Sequence, residues 1–184
     1  ILAGHGVIMS GASREVLEYA EKTQTPIALT LLGKGGVPET HPLSLGMMGM
    51  HGTGHANLAI QNADLLLAFG MRFDDRVTGN LKTYAPHAKK IHIEIDPSEI
   101  HKNVRVDVPI VGDLRTVLQQ LNPLVEPQEH REWWAQIRDW MEDGDERDII
   151  HWDSGERLFA AHVIRDMWEA TRGDAVIVTD VGQH

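Results

Sequence analysis

The sequence predicts an α/β fold in which a doubly wound parallel sheet is followed by a truncated piece of a second α/β domain. Two observations carry this prediction. Strand-like and helix-like segments alternate with short connections, which is typical of parallel sheets. The strand-like segments include apolar runs such as Leu65–Phe69, and strands that are buried on both faces have this composition.

The first part of the chain predicts two strands and two helices. Residues 1–3 form a strand that leads through a glycine-containing turn to a helix over residues 13–22, with Ser13 as its N-cap. A strand over residues 26–30 and a glycine-rich loop follow. A short helix over residues 56–63 has its alanines on one face.

The next part predicts three further strands and a helix. The strand Leu65–Phe69 is followed by residues 90–95, where isoleucines alternate with polar residues. Such alternation is expected of a strand that lies nearer the edge of a sheet. Residues 109–111 form a last short strand, after which Asp113 caps a helix that reaches Leu121.

The character of the chain changes after Asn122. Two prolines close together indicate a linker, and an amphipathic helix over residues 129–142 carries tryptophans that are expected to pack on neighbouring elements. Residues 143–153 are polar and irregular. A helix from about residue 155 to residue 171 and a strand over residues 175–179 then open another α/β domain.

Three segments follow from this organisation. Residues 1–122 form a central α/β domain, residues 123–154 a linker with the tryptophan-bearing helix, and residues 155–184 the start of a second domain. The chain begins in what resembles the middle of a strand and ends five residues after the predicted strand over residues 175–179, so both ends are expected to be cut, and a missing targeting peptide carries no information.

Composition excludes several classes of function. The formal net charge of −10 argues against a general nucleic-acid binder, and the absence of cysteine excludes disulfides, thiolate metal sites and cysteine nucleophiles. No apolar run approaches the roughly 18 residues that cross a bilayer. The 11 histidines show no metal-binding spacing. Five of them are expected at the surface or in packing: His41, His55, His87, His92 and His101.

The loop after Leu65–Phe69 is the strongest candidate for a binding site. It places Arg72, Asp74, Asp75 and Arg76 just past the carboxyl end of a buried strand, where open α/β sheets bind ligands. Arginine suits phosphate and carboxylate oxygens, so the ligand is predicted to be an anionic small molecule. The alternative is a solvated turn that forms ion pairs within the loop.

Three weaker motifs accompany this loop. Gly4 and Gly6 resemble a dinucleotide-binding turn, although paired glycines are common in such turns. The methionines among the glycines of residues 46–52 could face an aromatic ring or simply fill a core loop. Glu94 or Asp96 at the end of a strand could bind a ribose diol, or Asp96 could only cap the turn before Pro97.

Together these segments resemble the central domain of acetolactate synthase, a thiamine diphosphate enzyme. The resemblance lies in ALTLLGKGGVPETHP, LGMMGMHGTGHANLAI, NADLLLAFGMRFDDRVTGNLKTYAPHA and IHIEIDPSEI…VPIVGD, in this order, and the closing TDVGQH resembles the start of the domain that follows. It implies a Rossmann-like central domain that binds FAD in an extended form. The implied FAD positions are Gly4, His5, Gly6, Thr30, Leu31, Leu32, Met48, Met50, His51, Gly70, Met71, Arg72, Asp74, Arg76, Val77, Glu94, Ile95, Asp96, Glu99, Gly112 and Asp113.

The same resemblance implies roles in the reaction. Arg76 would hold the carboxylate of the acceptor 2-ketoacid, and Met50 would line the acceptor pocket. The residues that match positions near thiamine diphosphate are Val181, Gly182, Gln183 and His184. The activating glutamate and the Mg²⁺ ligands fall outside this chain, so the chain alone is expected to be inactive and to hold no metal. Two departures stand out, namely His5 between glycines and Asp96 where relatives often have a smaller polar residue.

The implied enzyme condenses two pyruvates, or pyruvate and 2-ketobutyrate, in the synthesis of branched-chain amino acids. Its expected partners are 2-ketoacid substrates, further catalytic subunits in a homodimer or homotetramer, and a regulatory small subunit, with no nucleic acid or membrane. A bacterial cytoplasmic location is expected, with plastid or mitochondrion left open. The alternatives are a glyoxylate carboligase or 2-ketoacid oxidase, a stand-alone flavin- or nucleotide-binding module, and an assembly fragment with exposed apolar patches.

Overall fold

The computed structural model of the chain describes residues 1–147, 149–153, 155 and 157–180. Contacts divide the chain into two compact units, Ile1–Met141 and Glu142–His184. This division does not test the three segments predicted from the sequence, and those segments stay a prediction.

The first unit is built on one six-stranded sheet in which every pair of neighbouring strands is parallel. The strands are β1 (Leu2–Ala3), β2 (Ile27–Leu29), β3 (Ser44–Met47), β4 (Leu65–Phe69), β5 (Lys89–Glu94) and β6 (Val108–Val111). Their order in the sheet is β3-β2-β1-β4-β5-β6, so the winding reverses between β1 and β4. The doubly wound, Rossmann-like parallel sheet is confirmed.

Helices α1 (His5–Met9) and α2 (Ser13–Thr23) lie between β1 and β2, α3 (Gly54–Asn62) between β3 and β4, and α4 (Asp75–Thr78) between β4 and β5. After β6 come α5 (Leu114–Leu121) and α6 (Arg131–Arg147), and the second unit contains α7 (Ala160–Thr171). Successive residues of β1 show the two faces, because Leu2 belongs to one buried cluster and Ala3 to the other. Successive side chains of a strand point to opposite faces, so the sheet is buried on both sides.

The tryptophan-bearing helix α6 packs on the first unit, as expected. Ile137 is fully buried, and Trp133 and Trp140 pack edge to face with ring centroids 5.6 Å apart. The indole Nε1 of Trp134 donates a hydrogen bond to the carbonyl oxygen of Gln24, just after α2, at 2.8 Å. The aromatic stripe is therefore a packing surface.

Several predicted elements in the first unit are wrong in detail. Ser13 is the first helical residue of α2 and not its cap, because the carbonyl oxygen of Ala12 already accepts the N–H of Val16 at 2.9 Å. The strand β3 takes in the first residues of the predicted methionine loop. The alternating strand β5 does lie near the edge of the sheet, next to the edge strand β6, as predicted, although its polar residue His92 is fully buried.

The second unit also differs from the prediction. The helix α6 continues to Arg147, and α7 begins at Ala160 instead of near residue 155. The predicted strand over residues 175–179 has no regular structure, and Val176 and Val178 are almost fully exposed. A strand needs a neighbour for its backbone hydrogen bonds, and the described residues of this unit include no other strand.

Candidate functional site

The crevice of the sheet lies where the loops after β1 and β4 meet. The N–H of Gly6 donates to the carbonyl oxygen of Gly70 at 2.8 Å, and the N–H of Gly4 donates to that of Phe69 at 3.0 Å. A Cβ atom at Gly6 would lie 2.6 Å from the Cα of Gly70, so no larger residue fits without a shift. Because both N–H groups are already bonded, these glycines serve first to let the two loops approach.

The loop after β4 holds Arg72 on an anchored backbone. Met71 and Phe73 are buried on either side of the exposed Arg72. The carbonyl oxygen of Met71 accepts a hydrogen bond from Nε2 of His92 at 2.8 Å, and that of Phe73 accepts one from Nδ2 of Asn103 at 2.8 Å. Two side chains from other parts of the chain thus fix this loop.

Burial governs the ionisation of His92. Desolvation lowers the pKa of His92, and the acceptance of its Nε2 proton by the Met71 carbonyl only partly opposes that effect. The ring is therefore neutral at pH 7. Its edge also lies against Phe73, with ring centroids 5.1 Å apart. This histidine is a packing residue, as expected from the sequence.

Asp74 begins the short helix α4. Its Oδ1 accepts the backbone N–H groups of Arg76 at 3.0 Å and Val77 at 3.2 Å, which is the geometry of an N-cap. In the part of the chain that the structure describes, neither Arg72 nor Arg76 forms an ion pair. The alternative of ion pairs within this loop is therefore not supported, and two cations face solvent without a carboxylate partner.

Met50 and Arg76 lie in contact. The N–H of Met50 donates to the carbonyl oxygen of Arg76 at 2.8 Å, and Nη1 of Arg76 lies 3.5 Å from Sδ of Met50. Gly49 precedes Met50 with a φ of +94°, a conformation that favours glycine. The structure thus brings together the two residues that the family resemblance assigned to one acceptor pocket.

The two carboxylates predicted to bind a ribose accept hydrogen bonds from backbone N–H groups of residues close to them in the sequence. Glu94 is nearly buried and accepts the N–H groups of Ile95 at 2.9 Å and Asp96 at 3.3 Å. Asp96 accepts the N–H of Ser98 at 2.8 Å, and its hydrogen bonds with Ser98 lower the pKa of Asp96. The capping role of Asp96 is confirmed, and its contact with a ribose stays a prediction.

Asp113 caps α5, as the sequence predicted. Its Oδ1 accepts the N–H of Thr116 at 2.9 Å and the hydroxyl of the same residue at 3.0 Å. Within the described residues, Oδ2 of Asp113 has no hydrogen-bond partner, so it could accept a ligand hydroxyl.

Exposed apolar side chains surround the same edge of the sheet. Leu31 and Leu32 follow β2, Met50 follows β3, and Ile95 follows β5, and each is at least 60% exposed. Since the carboxyl ends of parallel strands meet at one edge, these side chains belong to the same face as Arg72. The face combines flat apolar surface with unpaired cations, which suits a planar anionic ligand.

The predicted FAD positions all lie at or just after the carboxyl ends of the six strands, with Glu94 as the last residue of β5. The exposed ones are His5, Leu31, Leu32, Met50, His51, Arg72, Arg76, Ile95 and Asp96. The half-buried or buried ones are Gly4, Gly6, Thr30, Met48, Gly70, Met71, Asp74, Val77, Glu94, Glu99, Gly112 and Asp113. The side chains of Met48 and Met71 pack in the core, so only their backbone could meet a ligand.

Three further predictions concern thiamine diphosphate, metal ions and membranes. Val181, Gly182, Gln183 and His184, the predicted thiamine diphosphate residues, fall outside the described residues. Among the residues that the structure describes, no three histidine, aspartate or glutamate side chains group as metal ligands would, and no helix has the length and apolar character needed to cross a membrane.

Sequence reasoning missed the residues that hold these loops. Asn57, His92 and Asn103 each bond to a backbone group at least eight residues away. Nothing in the local pattern of the sequence predicts such contacts, because they depend on how the chain is folded.

The fold and this face define a doubly wound α/β domain of the kind that binds a ligand where its winding reverses. Comparison with known proteins is more specific: the family described as thiamine pyrophosphate enzyme, central domain, matches residues 1–121. The chain belongs to this family.

Relatives agree with this assignment. The chain is 42% identical, over its whole length and 33% of the relative, to acetolactate synthase isozyme 3 large subunit of Escherichia coli strain K12. It is 60% identical over 121 residues, 66% of the chain and 20% of the relative, to the probable acetolactate synthase large subunit of Methanocaldococcus jannaschii. The acetolactate synthase of Mycobacterium bovis is 41% identical over the whole chain and 30% of that protein. The motif resemblance is confirmed, and the chain spans at most a third of the length of these relatives.

Proposed function

We propose that this chain is the central part of an acetolactate synthase large subunit. The complete enzyme would decarboxylate pyruvate and join the remaining two-carbon unit to a second 2-ketoacid, giving 2-acetolactate or 2-aceto-2-hydroxybutyrate. Thiamine diphosphate, when bound with Mg²⁺, supplies the electron sink for decarboxylation. The contribution of this chain is to hold the acceptor ketoacid and a second cofactor.

The contact between Met50 and Arg76 carries this proposal. Arg76 has no ion pair among the described residues, and its backbone carbonyl is fixed by the N–H of Met50 at 2.8 Å. A guanidinium binds a carboxylate through two parallel hydrogen bonds, so Arg76 would hold the acceptor by its carboxylate. Met50 would then present its thioether to the apolar part of the acceptor.

The residues at the carboxyl edge fit FAD. Leu31, Leu32 and Ile95 offer exposed apolar surface for a planar ring. Arg72, which has no ion pair among the described residues, offers a cation for the diphosphate. Glu94 and Asp113 have carboxylate oxygens that could accept ribose hydroxyls. FAD would have a structural role here, because the proposed reaction involves no net oxidation or reduction.

The complete protein would act as an assembly. We propose a homodimer or homotetramer of catalytic subunits, with a regulatory small subunit as a further partner and the bacterial cytoplasm as its location. These proposals rest on the names and the mainly bacterial sources of the relatives.

A graft tests the proposed reaction. The 184 residues replace the aligned third of the Escherichia coli relative, and the product is assayed with pyruvate, thiamine diphosphate, Mg²⁺ and FAD. Formation of acetolactate, with a KM for 2-ketobutyrate that rises at least tenfold in Arg76→Ala, is the expected result. Arg105→Ala is the matched control, because Arg105 is exposed and precedes β6 at the opposite edge of the sheet.

The same assay separates the alternatives. A folded graft that binds thiamine diphosphate but condenses glyoxylate instead of pyruvate would favour a glyoxylate carboligase. If Arg76→Ala and Arg105→Ala have the same KM for 2-ketobutyrate, Arg76 does not bind the acceptor.

A further inference from the structure

One carboxamide on α3 clamps the loop that carries Met50. Oδ1 of Asn57 accepts the backbone N–H of Gly49 at 2.9 Å, and Nδ2 of Asn57 donates to the carbonyl oxygen of the same residue at 2.9 Å. The N–H of Gly49 can only donate, so the orientation of the amide is set by this pair of bonds. Two bonds to one residue fix both the position and the rotation of its backbone.

The clamp stands on an anchored helix. Thr53 caps α3, its hydroxyl donates to the carbonyl oxygen of Leu45 at 3.0 Å, and its N–H donates to that of Met47 at 2.9 Å. The first turn of α3 is therefore tied to β3. A side chain on a regular, anchored element holds its partner more accurately than one on a loop.

Gly49 passes this constraint to Arg76. A Cβ atom at Gly49 would lie 2.5 Å from the carbonyl oxygen of Arg76, so the two backbones are in close contact. The next residue, Met50, donates its N–H to that oxygen at 2.8 Å and places Sδ 3.5 Å from Nη1 of Arg76. An unbroken series of contacts thus leads from Asn57 to the guanidinium.

We propose that Asn57 is a positioning residue that sets the place of Met50 and, through it, the orientation of the Arg76 guanidinium toward the carboxylate of the acceptor. This inference rests on the function proposed for Arg76. A residue that only closed the turn between β3 and α3 would change stability and leave the affinity for the acceptor unaltered. A positioning residue changes that affinity, because small displacements of a binding group are costly.

The first test uses the unmodified 184-residue chain in solution. Nuclear magnetic resonance should show slow exchange of the Gly49 amide proton and of the Asn57 side-chain amide, with nuclear Overhauser effects between them. A folded chain in which the Asn57 amide exchanges freely would overturn the proposal, and this measurement needs no variant.

The second test compares two neutral substitutions on the same helix, Asn57→Leu and Asn62→Leu. Asn62 is exposed, and among the described residues its side chain bonds only to the carbonyl oxygen of Leu58 at 2.8 Å, so it controls for the loss of an asparagine from α3. In the graft, Asn57→Leu should raise the KM for 2-ketobutyrate about tenfold with kcat within about twofold, and Asn62→Leu should change neither.

The outcomes are distinguishable from those of the proposed function. Loss of all activity in the unsubstituted graft would count against the proposed reaction, and the signal of the Met50 methyl group in the 184-residue chain would then decide the role of Asn57. That signal should shift in Asn57→Leu and stay in place in Asn62→Leu. An unmoved methyl signal, or an unchanged KM in an active Asn57→Leu graft, would overturn the role of Asn57.

Discussion

Nε2 of His92 lies 2.8 Å from the carbonyl oxygen of Met71, and this bond ties the middle of β5 to the loop that carries Arg72. The imidazole is fully buried and its Nδ1 has no partner within the described structure. The single N–H of the neutral imidazole is therefore donated to the backbone of the proposed binding loop. This hydrogen bond therefore contributes both to the stability of the domain and to the geometry of the proposed site.

Replacing His92 by leucine should lower the free energy of unfolding by about 1–3 kcal/mol, because it leaves the buried Met71 carbonyl without a donor. His87→Leu, at an exposed position, should leave stability within about 0.5 kcal/mol. Urea unfolding followed by circular dichroism measures both. Equal stability of the two variants would mean that the bond contributes nothing.

How far the sequence predicted the molecule depends on the range of the contacts involved. Both ends of the strand Leu65–Phe69 were predicted correctly, because an apolar run between a polar residue and a glycine can be recognised from the local sequence alone. β3 was missed, since Gly46 and the methionines hide its pattern and only pairing with β2 makes it a strand. The residues at the carboxyl edge were predictable from motifs, whereas His92 and Asn57 act through folded contacts that no local pattern contains.

Acid should destabilise the domain through Glu15. This side chain is 2% exposed, and its Oε1 accepts bonds from Arg115 and Gln119 of α5 at 3.1 Å each. Burial alone would raise the pKa of Glu15, but hydrogen bonds from Gln119, its own backbone, Arg115 and Arg14 outweigh burial and lower the pKa from 4.5 to about 2.

The sign follows from the lowered pKa. The unfolded state takes up a proton near pH 4.5 and the folded state only near pH 2, so the stabilisation is complete above the first value and is lost as pH falls toward the second. Urea unfolding across this range should show a shallower loss of stability in Glu15→Gln than in the unsubstituted chain. Parallel curves would show that folding does not change the pKa of Glu15.

Gly6→Ala should cost about 2–3 kcal/mol of stability, because the new methyl group would lie 2.6 Å from the Cα of Gly70 and must push the two crevice loops apart. Gly54→Ala is the matched control, since a Cβ there meets no atom within 4 Å. Thermal unfolding measures the difference. A Gly6→Ala chain as stable as Gly54→Ala would mean that the loops after β1 and β4 are not packed together in solution.

Arg72→Ala should weaken the binding of FAD to the 184-residue chain about tenfold, and added salt should reduce the difference because the interaction is with a charged diphosphate. Arg105→Ala removes the same charge at the opposite edge of the sheet and should leave the affinity unchanged. Quenching of flavin fluorescence in a titration gives both dissociation constants. If both variants weaken binding equally, the effect comes from the net charge of the chain, and Arg72 makes no direct contact with the diphosphate. If a folded chain binds no FAD at all, this face does not hold a flavin by itself.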